Sequence, residues 1–201
     1  SSLDAMSIFT QSIILNSGWN IWSTYINPEN GDMTSIFSDI VEDIVIVKDE
    51  IGNVYWPAYD LNNIGEIDDA EGYQTKTSSL TTLEVTGTLL NPEMEFEIES
   101  GWGIIGYIKP EPSDAAEMMS PVVENLIILK DQIGNVYWPA YGLNNIGNME
   151  AGEGYQIKMD TDVMFAYSTG SGRLAYINPI RPVYYETASN TGNNMTIGLP
   201  T

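Results

Sequence analysis

The sequence predicts a mostly β protein of the α+β class. Two tandem homologous modules of about 80 residues are expected, each a small sheet or sandwich with one short helix. Three observations carry that expectation. The nine residues IGNVYWPAY stand at Ile51–Tyr59 and again, letter for letter, at Ile133–Tyr141. β-Branched and aromatic residues fill short runs bounded by Gly, Asn, Asp and Pro, which is the pattern of strands and turns. One stretch in each copy spaces its apolar residues as a helix does.

The duplication extends well past its nine-residue core. Lys48-Asp49 recurs as Lys130-Asp131, an offset of 82 positions (from 49 to 131). Leu61–Gly65 recurs as Leu143–Gly147, and Glu71–Gln74 as Glu153–Gln156, both reading EGYQ. Ser17-Gly18-Trp19 recurs as Ser100-Gly101-Trp102 at an offset of 83 (from 17 to 100), so the second copy lacks one residue before Tyr107-Ile108. The resulting division is an N-terminal segment at 1–12 (a candidate pairing strand), modules at 13–94 and 95–170, and residues 171–201. That last stretch matches neither copy and reads as a linker with the start of a further unit, or as a tail strand.

Taken in order, SIILN and WNIWSTYI are β-branched and aromatic, hence strands. In GDMTSIFSDIVED, Asp32 suits an N-cap, and Met33, Ile36, Phe37, Ile40 and Ile44 recur at helical spacing. The second copy has Pro121 where Asp39 stood, so its helix should be shorter, with Ser120 as cap and Pro121 at the first position. DIVIVKD reads as a central strand, DEIGN as a turn, and VYWP as the returning arm, ended by proline. GYQTKT and LEVTG supply the closing strands.

Charge and composition narrow the function. Seven Lys plus Arg against 28 Asp plus Glu leave −21, which argues against nucleic acid and against an anionic membrane surface. No apolar run approaches the length of a membrane helix, so no membrane insertion is expected. The opening Ser1-Ser2-Leu3-Asp4 carries no signal-peptide pattern, so any targeting segment is expected to lie outside this stretch. Cysteine and histidine are absent, which removes thiolate nucleophiles, ordinary zinc sites and the Ser-His-Asp triad. Paired carboxylates remain as the chemistry for an enzyme, and no pair stands out, so no catalytic residue is assigned.

The duplicated aromatics Tyr55, Trp56, Tyr59, Tyr137, Trp138 and Tyr141 have two readings. They fill the core of a small module, or they form a stacking platform for a sugar. Strand alternation permits both, one ring facing in and the next facing out. Lys48 and Lys76 recur as Lys130 and Lys158, and in so acidic a chain their partners should be carboxylates such as Asp49 or Glu71. GWGIIG at 101–106 fits G-x-G-x-x-G, but no helix opens after it and the matching GWNIWS reads as strand. NPENGDMT and DDAEG look like fragments of calcium loops without the full ligand pattern. No metal site is assigned and no cofactor is expected; calcium is the ion these turns would suit.

The succession SGWN, YINP, VIVKD, GNVYWP, NNIG and EGYQ resembles tandem β-rich repeat modules of large secreted or surface-attached proteins of marine and Bacteroidota-type bacteria, with related strings in phage fibre-like proteins. The resemblance spans 13–170 and implies an extracellular, cell-surface, non-catalytic role in an adhesin, stalk, fibre or filament. It carries no catalytic residues to this chain. The partners it implies are neighbouring copies or modules of the same protein. The alternative is a carbohydrate-binding module whose Tyr/Trp strips recognise surface glycans, with calcium assisting.

Overall fold

The computed structural model describes residues 7–168. The expectations for 171–201, and the first half of the N-terminal segment, lie outside the described residues. The protein is mostly β, arranged in several sheets. Strands β1 (Phe9–Leu15), β2 (Gly18–Trp22) and β3 (Ile26–Pro28) precede a one-turn helix α1 (Met33–Ile36). Then come β4 (Ile44–Lys48), β5 (Val54–Trp56), β6 (Leu61–Asn62), β7 (Tyr73–Thr77) and β8 (Thr81–Leu89). The second half runs through β9 (Phe96–Ile98), β10 (Gly101–Gly106), β11 (Ser113–Asp114), α2 (Ala115–Met118) and β12 (Leu126–Lys130). It closes with β13 (Val136–Trp138), β14 (Leu143–Asn144), β15 (Asn148–Met149), β16 (Gly154–Met159) and β17 (Val163–Phe165). GWGIIG is β10, a strand as its context required.

Two antiparallel five-stranded sheets dominate. Their orders are β2-β7-β4-β5-β6 and β10-β16-β12-β13-β14. In the first, Trp19 stands opposite Lys76, Lys48 opposite Gln74, and Val47 opposite Tyr55. In the second, Trp102 stands opposite Lys158, Lys130 opposite Gln156, and Leu129 opposite Tyr137. The central strands β4 and β12 each break register once, between Ile44 and Ile46 and between Leu126 and Ile128. A three-stranded sheet β1-β8-β3 backs the first large sheet, and the pairs β9–β17 and β11–β15 accompany the second. Phe9–Ser12, from the N-terminal segment read as a candidate pairing strand, form the start of β1 and pair with β8.

Alternation makes each large sheet two-faced. Tyr73, Thr75 and Thr77 of β7 are buried, while Gln74 and Lys76 point outward. The inner face of the first sheet places Trp22, Val47, Tyr55 and Tyr73 against Ile13, Leu15, Leu83 and Val85 of the smaller sheet. The Trp22 indole N–H donates to Thr75 Oγ1 at 2.7 Å, so the ring is buried without a stranded polar group. The second core gathers Tyr107, Leu129, Tyr137, Tyr155 and Ile157 with Phe165 and Tyr167. Each large apolar side chain so buried contributes about 1.5–3 kcal/mol of transfer free energy before entropy is counted.

The helical stretch is shorter than its apolar spacing implied. α1 ends at Ile36, a 3-10 segment Ser38–Asp43 follows with Ile40 outside helical φ/ψ, and Ile44 opens β4. Ile44 belongs to the inner face of a sheet, so its place in a 3.6-residue period is coincidental. Asp32 is the N-cap, accepting from Thr34 N at 2.8 Å. In the second half the capping residue is Asp114, which accepts from Ala116 N and Glu117 N. Ser120 does not cap. Its hydroxyl donates to Glu117 O, and Pro121 lies in the 3-10 turn Ser120–Val122. No helix among the described residues is long and apolar enough to cross a membrane.

Candidate functional site at the junction of the two sheets

The repeated aromatics divide into three environments. Tyr55 and Tyr137 are core residues, and Tyr55 stacks on Phe37 at 6.0 Å between centroids. Burial pushes both phenols above their usual range. Trp56 and Trp138 are half-buried. Tyr59 and Tyr141 are 70% and 68% exposed and stand edge-on to those indoles, 4.5 Å away at interplanar angles of 69° and 70°. Within each pair the two rings therefore do not share a plane. A 3-10 turn, Pro57–Tyr59 or Pro139–Tyr141, sets each exposed tyrosine.

Three of the four repeated lysines lie against indoles. Lys48 Nζ lies 5.3 Å from the Trp19 ring, while Lys130 and Lys158 lie 5.8 and 5.5 Å from Trp102. Asp49 is occupied in its own turn, accepting from Gly52 N and Asn53 N at 2.7 Å and from Asn53 Nδ2 at 2.7 Å. Asp131 repeats that arrangement with Ile133 N, Asn135 N and Asn135 Nδ2. Glu71 accepts from the Tyr73 hydroxyl at 2.6 Å. Sequence reasoning recognised the SGW register yet did not single out Trp19 and Trp102. Their signal was available, as outward positions on strands otherwise alternating inward.

The two sheets meet through matched contacts. Ser23 N donates to Gly152 O at 3.1 Å, and Gly106 N donates to Ala70 O at 2.7 Å. Trp22 bridges Glu153, and Ile105 bridges Glu71. Ile21 N donates to Gln132 Oε1 at 3.2 Å, and Ile104 N donates to Glu50 Oε2 at 3.0 Å. In each pair the donor of one half and the acceptor of the other exchange places, following the offsets read from the sequence. Gly72 and Gly154 permit the approach. A Cβ on Gly72 would come within 2.6 Å of Ile104 Cγ2 and 2.9 Å of Ile105 O, and one on Gly154 within 2.9 Å of Ile21 Cγ2 and 3.0 Å of Trp22 O.

Acidic groups gather beside this junction. Asp68, Asp69, Glu71, Glu97 and Glu99 line a cleft of about 300 Å³. Burial pushes the Glu71 carboxyl up to about 7, the Tyr73 hydroxyl and Glu50 N oppose the rise, and the Glu50 and Asp49 charges add to it. Burial likewise raises Glu153, which accepts from the Tyr155 hydroxyl at 2.7 Å. The Asp32 carboxylate of the calcium-like stretch is taken up by its helix cap and by Asn62 Nδ2. No three or more His, Cys, Asp or Glu side chains among the described residues are placed so that they could hold one metal ion. A scan against protein-family models, a search of curated proteins and a search of solved structures each returned no match.

Proposed function

We propose that this chain is a non-catalytic extracellular repeat protein of the adhesion type, a segment of a surface adhesin, stalk or fibre. On this reading 13–94 and 95–170 are one folding unit made twice. The observation that carries it is the reciprocal docking of two sheets of equal strand order. Contacts that run from i to j and from j back to i are what a two-fold arrangement produces.

Such a pairing closes on itself. Each unit uses its docking edge on the other, which makes a discrete two-unit body rather than the start of an open stack. A fibre assembled from such bodies needs a separate contact between neighbouring copies. The expected picture is therefore compact bodies set along a larger surface protein. The net charge of −21 favours keeping them dispersed in water.

Immunogold labelling of intact cells that express the native protein tests this. Antibody to residues 7–168 should decorate surface material, fibrous or particulate. Label confined to the cell interior would contradict the reading. A second reading, a carbohydrate-binding module, has one observation behind it. Solvent-facing aromatic rings recur at matching positions in both sheets.

A further inference from the structure

Tryptophan is usually mostly buried, because its ring is the largest apolar payload a side chain carries. Trp19 on β2 and Trp102 on β10 are 53% and 58% exposed at matching positions. Neither ring is loose, since lysine ammonium groups rest against both. The sequence therefore presents the same braced, exposed indole twice, on the outer faces that flank the junction.

Between those faces runs a cleft in two continuous parts. One part, about 390 Å³, is lined by Trp19, Ile21, Gln74, Lys130, Gln132 and Gln156. The other, about 300 Å³, shares Gln74, Lys130 and Gln156 and reaches Trp102. Volumes of this size accommodate small ligands or a few units of a chain. The lining couples ring surfaces to side-chain amides, which both donate and accept hydrogen bonds. The carboxylates that border it have partners already: Asp49 and Asp131 in their turns, Glu50 on Ile104 N.

We propose that this cleft binds a neutral polysaccharide, with sugar rings on Trp19 and Trp102 and the Gln74 and Gln156 amides bonded to hydroxyls between them. The proposal rests on the adhesion reading and names the class of surface it would recognise. Charge selects the occupant. A chain carrying −21 repels a polyanion, and a second copy of itself carries the same charge. Sugar hydroxyls match amides and ammonium groups without desolvating another ion.

Affinity electrophoresis of the full chain tests this, in native gels containing galactomannan, hydroxyethylcellulose or laminarin. Parallel gels contain polygalacturonate or poly-L-glutamate. At least one neutral gel should retard the protein. Trp19→Ala with Trp102→Ala should abolish retardation, and Gln74→Ala with Gln156→Ala should weaken it about tenfold. Trp56→Ala should leave it unchanged. Near-ultraviolet circular dichroism of the buried aromatics reports whether each variant keeps its fold. Free migration in all three neutral gels overturns the proposal. So does retention that survives loss of both exposed tryptophans, or stronger retention by polygalacturonate or polyglutamate. Surface labelling with no glycan retention would sink this proposal alone; interior labelling would remove the adhesion reading beneath it.

Discussion

Where the second half of the chain places Gly142 and Gly152 at φ of 61° and 90°, the first half places Asp60 and Ala70 at 51° and 65°. The backbone demands a left-handed residue at each position, and only one half meets the demand with glycine. The same contrast runs through the junction. Glu50 accepts the Ile104 N–H where Gln132 accepts the Ile21 N–H, and Trp22 fills the place that Ile105 fills opposite. Backbone path and hydrogen-bond geometry are common to both halves, while charge and side-chain volume vary. What the two halves share is therefore the constraint of the fold, and what they do not share is free to change.

Removing Trp22 should sharpen the contrast most. Its ring is 1% exposed and packs on Phe37 and Tyr73, so Trp22→Ala should cost about 3–5 kcal/mol in urea unfolding. Trp19→Ala, at an exposed position of the same strand, should cost about 0.5 kcal/mol or less. Equal losses would mean that inner and outer faces are wrongly distinguished.

Exchanging the left-handed residues comes next. Ala70→Gly should stabilise by about 0.5–1 kcal/mol, because strain at positive φ is relieved at some cost in chain entropy. Gly152→Ala should destabilise by about 1–2 kcal/mol, since φ of 90° disfavours a Cβ and Gln11 Nε2 would lie 3.3 Å from it. Thermal denaturation of the two single variants checks the signs. Shifts in the same direction would break the comparison.

The smallest effect concerns pH. The folded Glu71 carboxyl titrates at about 7, above its ordinary value of 4.5, so the folded chain holds the extra proton between those values. Glu71 thus makes stability fall as pH rises from about 4.5 to about 7. Glu71→Gln keeps an acceptor for the Tyr73 hydroxyl and should flatten that slope, gaining about 1 kcal/mol at pH 8 after allowance for solvent screening. A slope unchanged in the variant would assign the titration to another group.

Much of the strand layout was legible in the sequence because alternation and turn chemistry are local. VYWP, GYQTKT and LEVTG fall in β5, β7 and β8, and the Asp32 cap was readable from its neighbours. The helix was overextended because Ile40 and Ile44 are apolar for different reasons. Ile44 answers to the sheet it joins, a non-local fact. The aromatic site was half legible: alternation foretold that Tyr55 and Trp56 would part company. It could not say that Tyr59 would turn edge-on, or that lysines would lie against indoles. Those outcomes depend on how two sheets meet, and the junction lies between residues far apart in the chain.

The central claim is that two sheets dock reciprocally into one cooperative body. Scanning calorimetry of the full chain, alone and with Gly72→Ala and Gly154→Ala combined, tests it most directly. Each added methyl group meets backbone of the opposing half, at an expected cost of about 1–3 kcal/mol per site. The parent should unfold in a single transition, and the double variant in two. Two transitions in the parent, or a double variant that melts as the parent does, would contradict the account.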